Sequence, residues 1–426
     1  MSTNVYTDKV AAKIVRLVKN KLKIASTMTR KFELEFEDKS EPIGQTLRVK
    51  KPLRGVVVDG SVWTGANIER KWATVGPFQH FHIPLQAGVG EQMFEMERTT
   101  EARNKNLYDP LTDQIAQEID VRAARFIALN TSMRVGAIGT TPTSFDTWGE
   151  MLTRINEKDG MSGKLRAGMF MSPTALRTMI SGTPNALALF HNGQRDAEDV
   201  FREGFLARYG GFDIYDSMSL YTHTTGIFAT VAGITVSVSA VDGDTNLVLA
   251  CATGDTVKAG DSFSCAARSD INPFTRESLF RDRVLAVSGN RGDTYTAAAN
   301  VVTVPLVEPL FGPGNPYQNI LTLPVAGDVV TFNPGTTMVD ATAKSGKFGM
   351  AYTNDAFAIV GAKVPTPKKS SFEECSSYTD PDTGITVSIL SWIVPETLEL
   401  RWRADACIGF GKLLGDTSSA LIGMLS

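Results

Sequence analysis

One long amphipathic segment, residues 106–133, constrains the fold of this chain more than any other stretch of its sequence. Its apolar positions recur at helical spacing, at Leu111, Ile115, Ile119 and Phe126. Asp109 and Pro110 are typical of a helix start, because Asp accepts hydrogen bonds from free amides and Pro fits the first turn. The pattern predicts a helix from Asp109 that is more than roughly 30 Å long, with one narrow face packed on a partner layer.

The composition is that of an ordinary globular protein. Its 426 residues predict two or three core-forming units, and a hydrophobic content of 42% is enough to build them. No apolar run approaches the length of a membrane span, and the N-terminus lacks the features of a signal peptide. A net charge of −3 argues against nucleic-acid binding by bulk electrostatics. These features predict a soluble protein made in the cytoplasm.

Sequence motifs for catalysis or metal binding are missing. The patterns GxSxG, GxxxxGKS/T and HExxH do not occur, and the four cysteines form no CxxC pair. His80 and His82 share one face of a strand, but no third ligand follows at a recognisable spacing. Asp380 and Asp382 lie in TDPDTG and are interpreted as turn caps. We expect no catalysis, no cofactor and no metal, and an enzyme with a dispersed active site stays open as the alternative.

The first 31 residues form a basic segment, in which eight Lys or Arg residues accompany a single acid, Asp8. Apolar residues fall on one helical face, at Val10, Ile14, Leu17, Val18 and Leu22. The candidate partner-binding cations are Lys9, Lys13, Arg16, Lys19 and Lys23. Two interpretations stay open, a surface helix with a solvated basic side and an arm that docks on a neighbouring subunit or an acidic partner.

A basic two-stranded excursion is predicted between residues 45 and 85. The segments TLRVKKPLRGVVV and ERKWATVGPFQHFHIPL flank Asp59-Gly60, a dipeptide typical of tight turns. The cations of the excursion are Lys50, Lys51, Arg54, Arg70 and Lys71. A long hairpin with little core of its own is unstable alone, so we expect it to lie on another chain. Ahead of it, residues 29–37 alternate as in a half-buried strand.

An α/β pattern follows the long helix. Residues 144–156 predict a helix, and LRAGMFM predicts a strand that leads into a helix capped by Ser172, with Pro173 in its first turn. Residues 197–208 predict a further short helix, and GGFDIYDSMSLY predicts a strand.

An all-β pattern then interrupts the α/β one. Short alternating runs between residues 222 and 334 are typical of a small barrel or sandwich. Because the earlier pattern returns from Phe348, the all-β unit is predicted to be an insertion.

Short segments along the chain recur in the order found in a known family. They are TLRVKKP (46–52), FHIPLQAGVGEQMFEME (81–97), DPLTDQIAQEIDVRAARFIA (109–128), FMSP (170–173), GFD (211–213), VKAGDSFSCA (257–266), NDAFAIV (354–360) and RADACIGFGKLLGDTSSALIGM (403–424). In these segments the chain resembles the major coat proteins of tailed bacteriophages with the Hong Kong 97-type capsid fold. Within that family, the chain is similar to the coat proteins of short-tailed Salmonella phages, which carry an inserted β domain.

The resemblance implies an α+β fold with an N-terminal arm, an extended β-hairpin loop, a peripheral domain with a spine helix, an axial α/β domain and an inserted all-β, barrel-like domain. The implied boundaries are 1–40 (arm), 41–86 (extended loop), 87–140 (peripheral domain with the spine helix), 141–221 (first part of the axial domain), 222–346 (insertion) and 347–426 (closing strands and C-terminal tail). In those relatives a long charged loop contacts a neighbour across a two-fold axis. The corresponding loop here, residues 242–246, is short, so the resemblance does not imply the same contact.

The resemblance also implies a function. It predicts a non-catalytic major capsid protein that self-assembles as hexamers and pentamers into the icosahedral shell of the virion, enclosing phage DNA. Assembly in the host cytoplasm is implied, without a membrane. The implied partners are further copies of the chain, a scaffolding protein, a portal protein, decoration proteins and packaged double-stranded DNA contacted non-specifically.

Residue roles follow from the same likeness. The loop cations, Lys50, Lys51, Arg54, Arg70 and Lys71, would lie over the neighbouring subunit, and the basic arm would face the shell interior. On the spine helix, Ile115 and Ile119 are predicted to serve subunit folding, whereas Glu118 and Arg122 are predicted to matter mainly in the shell. A phage surface or adhesion protein that binds a ligand through the β insertion is a second alternative.

Overall fold

A computed structural model of the chain describes residues 5–29, 46–51, 71–86, 101–143, 145–159, 166–181, 208–209, 212–229, 233–332, 343–362, 373–380, 384–394, 399–414 and 419–423. The chain divides into two compact units. The first contains Met1–Lys50, Trp72–Ala123 and Phe357–Leu413, and the second contains Lys51–Lys71, Ala124–Ala356 and Leu414–Ser426. The six-part domain division stays a prediction.

The described residues contain four α-helices and one 3-10 turn. They are α1 (Val5–Lys21), the 3-10 turn Ala25–Thr27, α2 (Glu101–Asn130), α3 (Phe145–Asp159) and α4 (Pro173–Ser181). The strands in the same residues are β1 (Leu47–Lys50), β2 (Trp72–Val75), β3 (Gln79–Gln86), β4 (Arg134–Val135), β5 (Arg166–Met171), β6 (Arg208–Tyr209), β7 (Phe212–Asp216), β8 (Thr222–Thr224), β9 (Thr235–Val236), β10 (Asn246–Ala250), β11 (Thr256–Lys258), β12 (Ser262–Ile271), β13 (Ser278–Ala286), β14 (Thr294–Thr296), β15 (Val301–Pro305), β16 (Val330–Phe332), β17 (Ser345–Thr353), β18 (Phe357–Gly361), β19 (Glu373–Thr379), β20 (Thr386–Val394), β21 (Glu399–Lys412) and β22 (Ser419–Gly423).

The long helix exists as α2, but its predicted start at Asp109 and Pro110 is wrong, because the helix begins at Glu101. Residues 101–108 are EARNKNLY, a segment rich in good helix formers, and the helix continues through Pro110. Proline removes one backbone donor and so disfavours an interior helical position without forbidding it. The helix ends at Asn130.

The first unit is built on a seven-stranded antiparallel sheet. The strand order is β1-β2-β21-β20-β19, and β3 and β18 also pair with β21. The 14-residue strand β21 is its centre, because four other strands pair along its length. The predicted antiparallel pairing of the excursion is present where Lys50 lies opposite Trp72. Residues 52–70, with the predicted turn Asp59-Gly60, and nearly all of the predicted strand 29–37 lie outside the described residues.

The second unit contains a mixed sheet in the order β4-β22-β17-β5-β7-β6, with β8 paired to β17. Helix α3, which the sequence predicts, packs on it and buries Trp148 and Ile155. Ser172 Oγ accepts a hydrogen bond from Ala175 N at 3.2 Å at the start of α4, as predicted. Of the predicted helix 197–208 only Arg208 is described, and it lies in strand β6.

The insertion is an all-β unit of three small antiparallel sheets, β15-β10-β9, β11-β14 and β13-β12-β16, around one apolar core. Phe332 lies at its centre, with ring centroids 4.5 Å from Phe228 and 5.3 Å from Phe263. The chain leaves and returns side by side, because Thr224 pairs with Ser345 between β8 and β17. Adjacent ends are what an inserted unit requires.

Candidate functional site: assembly elements and a buried charged junction

The apolar side of the arm helix α1 is buried within its own unit. Ile14 and Val18 are shielded from solvent, and the helix packs against β19 and β20. This side is therefore not available to a partner, and the predicted partner surface reduces to the basic side. Lys13, Arg16 and Lys23 are exposed, whereas Lys19 Nζ lies 3.9 Å from a carboxylate oxygen of Asp380. The side chain of Lys9 lies outside the described residues.

A buried carboxylate on α2 holds the segment that follows the arm helix. Asp120 accepts hydrogen bonds from the backbone N–H groups of Lys23 and Ala25, both at 2.9 Å. Burial raises the pKa of this carboxyl, although the backbone donors oppose the rise. The periodicity of α2 did not single out Asp120, because an acid on a helix is more often solvated than buried.

The predicted residues of α2 divide into a core pair and a charged pair. Ile115 and Ile119 are fully buried. Arg122 Nε donates to Glu118 Oε1 at 2.7 Å, and its guanidinium carbon lies 4.6 Å from the ring centroid of Phe81. The charged pair therefore has partners inside its own unit, so its predicted role in the shell is not the only role these residues have.

The described base of the extended loop is also engaged within the chain. Lys51 N donates to Lys71 O at 2.9 Å, and the Lys71 ammonium lies over the rings of Phe311 and Tyr317. The contact of Lys71 with a neighbouring subunit stays a prediction. The side chain of Lys50 lies outside the described residues, as do Arg54 and Arg70.

His80 and His82 lie on one face of β3, as predicted, with ring centroids 6.1 Å apart. His80 Nε2 lies 3.6 Å from Asp405 Oδ1, and Asp405 is fully buried in β21. Arg403 donates to the other oxygen of Asp405 at 2.7 Å. Within the described part of the chain, no group of three or more His, Cys, Asp or Glu residues is placed to hold a metal ion.

A group of buried charged side chains, called here the buried charged junction, links the insertion to helix α3 and strand β4. Lys158 on α3 pairs with Asp270 of the insertion at 2.9 Å, and both side chains are almost fully buried. Arg283 lies 3.7 Å from Asp270 and pairs with Glu308. Burial lowers the pKa of Lys158. Burial alone would raise the pKa of Asp270, but the cations Lys158 and Arg283 hold it below its ordinary value.

A second part of this junction surrounds β8. His223 Nε2 lies 2.8 Å from Asp261 Oδ1, and Asp261 Oδ2 accepts from Gly226 N at 3.0 Å. Arg134 donates to the carbonyl of Gly260, and burial lowers the pKa of Arg134 to about 10. Gly260 has a φ of +99°, and a Cβ there would come within 3.0 Å of the His223 ring. The turn thus requires glycine for both conformation and space.

Sequence reasoning missed this junction as a site. Its ionisable members are Arg134, Lys158, His223, Asp261, Asp270, Arg283 and Glu308. They come from separate strands, helices and loops, so no local spacing connects them. The one available signal was Gly260-Asp261 within the segment VKAGDSFSCA, which contributed to the resemblance without indicating a partner.

Among the described residues, no helix is both long and apolar enough to span a bilayer.

No curated protein matches the chain in sequence. Solved structures do resemble it. They include Mycobacterium phage Che8, at 10% identity, with 94% of this chain and 90% of that chain covered and a TM-score of 0.43. The capsid of Ralstonia phage GP4 is similar at 10% identity, with coverage of 94% and 87% and a TM-score of 0.40. The CUS-3 coat protein I-domain is similar at 13% identity, with 23% of this chain and 92% of that chain covered and a TM-score of 0.18.

A protein-family model matches residues 81–411, which is most of the chain and includes α2, the insertion, every strand of the mixed sheet except β22, and nearly all of β21. The chain is a major capsid protein of tailed-phage type, a structural protein with the Hong Kong 97-type fold whose copies form the virion shell. It belongs to the family described as P22 coat protein, gene protein 5.

Proposed function

We propose that this capsid protein assembles as hexamers and pentamers, which close into an icosahedral shell around phage DNA, and that its role involves no catalysis. The observation that carries the proposal is the coat-protein family match over residues 81–411. Assembly would take place in the host cytoplasm. A scaffolding protein, a portal protein and decoration proteins are the partners expected beside further copies of the chain.

The extended loop is the proposed contact with the next copy. Lys50, Lys51, Arg54 and Arg70 give it positive charge, and complementary charge on the neighbour would set register as well as affinity. Lys71 belongs to the same proposed set, and its ammonium also lies over two aromatic rings of its own chain.

The basic side of the arm is the proposed contact with an anionic partner inside the shell. Lys13, Arg16 and Lys23 are exposed, while the apolar side of the helix is anchored on its own sheet. Many arms held in one shell bind phosphate groups by counterion release, although the chain as a whole is acidic.

Two exposed aromatic side chains extend the proposal to the insertion. Phe274 is 64% exposed and Phe280 95% exposed, on the hairpin of β12 and β13. Phe280 has a φ of 54°, a left-handed conformation that costs free energy for a bulky residue. The hairpin is braced on α3, because Asn272 Nδ2 donates to the Glu157 carbonyl at 2.9 Å and Arg281 pairs with Glu157 at 2.5 Å. A braced pair of exposed aromatics suits a contact between copies.

Light scattering and negative-stain microscopy of the purified chain, alone and with the scaffolding protein, test the proposal. Closed shells or shell-like polymers are expected. A chain that stays monomeric under all conditions and turns over a small molecule would overturn it.

The arm has a separate test in the triple variant Lys13→Gln, Arg16→Gln and Lys23→Gln. Because three exposed cations are removed, shells of this variant should bind DNA more weakly and with a smaller salt dependence than native shells. Fluorescence anisotropy across a salt series measures both. Unchanged DNA and scaffold binding would exclude the arm as the contact.

A further inference from the structure

Lys71, at the base of the extended loop, makes cation–π contacts with two aromatic rings of the insertion. Its Nζ lies 3.4 Å from the centroid of Phe311 and 4.1 Å from that of Tyr317. The two rings are tilted by 48°, with centroids 6.4 Å apart. All three residues belong to the second unit. Both distances are well inside the range of about 6 Å over which a cation is attracted to a ring face. We call Phe311 and Tyr317 the aromatic clamp.

The first ring is positioned by hydrogen bonds that do not involve Lys71. Phe311 N donates to Asn319 Oδ1 at 2.9 Å, and Asn319 N donates back to Phe311 O at 3.0 Å. Asn319 Nδ2 also donates to Pro309 O at 2.8 Å. The loop around Phe311 is therefore closed on itself.

The second ring is positioned through the short loop at residue 242. Asp242 Oδ1 accepts from Gly312 N, and its Oδ2 accepts from Asn315 Nδ2, both at 2.8 Å. Asn315 Oδ1 in turn accepts from Tyr317 N at 2.9 Å. The hydrogen bonds that position the clamp all lie within the insertion and do not involve Lys71, an arrangement that lowers the entropy cost of holding the lysine.

The two residues at the base of the extended loop, Lys51 and Lys71, are both connected to the aromatic clamp. Lys71 O accepts the hydrogen bond of Lys51 N at 2.9 Å, so fixing Lys71 also fixes the residue opposite it. The amide of Lys51 is for this reason a direct reporter on whether the base of the loop is closed.

We propose that the insertion holds the base of the extended loop through the aromatic clamp in the free subunit, so that the loop emerges in one direction before it meets a neighbour. This inference rests on the proposed function, in that the loop is taken to contact the next copy in a shell. The clamp provides preorganisation, because a loop with a fixed base loses less conformational freedom on binding.

Amide hydrogen exchange of the free full-length chain tests the clamp. Lys71→Met keeps the side-chain length and removes the charge, so protection of the Lys51 amide should fall by about 2- to 30-fold, the range of a cation–π contact. Phe311→Leu should produce a similar loss, whereas Lys71→Arg should retain most of the protection. Lys13→Met, at an exposed lysine of the arm, is the matched control and should change nothing.

A double-mutant cycle of Lys71 and Phe311 tests whether their contact causes the loss of Lys51 protection. Adding Lys71→Met to Phe311→Leu should cost little further protection, because the contact is already lost. Unchanged Lys51 exchange in Lys71→Met, or fully additive losses in the double variant, would overturn the clamp.

Assembly kinetics test the consequence of the clamp. Folded Lys71→Met should assemble more slowly than the native chain by light scattering. Loss of Lys51 protection with assembly at the native rate would overturn the preorganising role. Failure of the native chain itself to form shells would instead contradict the proposed function, while the exchange data would still report on the clamp.

Discussion

At the scale of single residues, buried charges decide how the parts of this chain are fixed to each other. Asp120 satisfies two backbone N–H groups at the end of the arm, and Lys158 with Asp270 joins α3 to the insertion. Charges taken out of water are stable only with partners, so each of these residues is sensitive to loss of its partner.

Lys158→Met should lower the free energy of unfolding by about 3 to 5 kcal/mol, because it leaves the Asp270 carboxylate buried without its nearest cation. Urea unfolding followed by circular dichroism measures the change. Glu118→Gln is the control, since it breaks a half-exposed pair and should cost less than about 1 kcal/mol. Equal losses in the two variants would contradict the assignment of the junction.

The insertion should lose stability in acid through the Asp328 carboxylate. Its hydrogen bonds with Arg268, at 2.6 and 2.7 Å, hold the pKa of Asp328 below its ordinary value of 3.8. A lowered folded-state pKa gives stability that is complete above the ordinary value and is lost as the pH falls through the folded-state pKa. Thermal unfolding below pH 4 should therefore depend more weakly on pH in Asp328→Asn than in the native chain, and identical pH profiles would refute the link.

At the scale of elements, periodic patterns predicted the long helix α2, the helix α3 and the strands of the insertion. The ends of these elements and their polar contacts could not be predicted from local spacing. The spacing of Ile115 and Ile119 correctly predicted the buried face of α2. Ser172 and Pro173 correctly predicted where α4 begins. The start of α2 was misplaced because Pro110 suits both a first turn and, at a cost, an interior position. Asp120 was missed because its partners are backbone groups almost a hundred residues away, which no local spacing encodes.

Ile115→Ala and Ile119→Ala should each destabilise the subunit by about 2 to 5 kcal/mol, because each leaves a cavity at a fully buried site. Arg122→Ala should cost about 1 kcal/mol, through loss of the Glu118 pair and the Phe81 ring contact. Chemical unfolding of the free chain measures all three. A larger loss of unfolding free energy for Arg122→Ala than for either isoleucine variant would contradict the assignment of the isoleucines to the core and of Arg122 to the surface.

Phe280→Ser should leave subunit stability unchanged, because the side chain is 95% exposed and serine carries the same Cβ in the left-handed backbone as phenylalanine. If the hairpin contacts another copy, the same variant should raise the concentration needed for assembly several-fold. Sedimentation velocity over a concentration series measures that threshold. Leu285→Ser, at a buried position of β13, is the contrasting variant and should unfold the insertion.

At the scale of the whole molecule, the likeness to a capsid fold could be predicted from the sequence, because it depends on patterns that run along the chain. The family match over residues 81–411 establishes the same class. The aromatic clamp and the charged junction could not be predicted, because each joins residues far apart in sequence. Both features fix one element to another inside a subunit, as a protein that must present the same surface in many copies requires.

The central claim, that copies of this chain close into a shell, is tested most directly by electron cryo-microscopy of particles from cells that express the chain, alone and with the proposed scaffolding protein. The account predicts closed particles with five-fold vertices between six-fold capsomers, each subunit carrying its insertion. Folded chain recovered only as monomers or small open oligomers would contradict it.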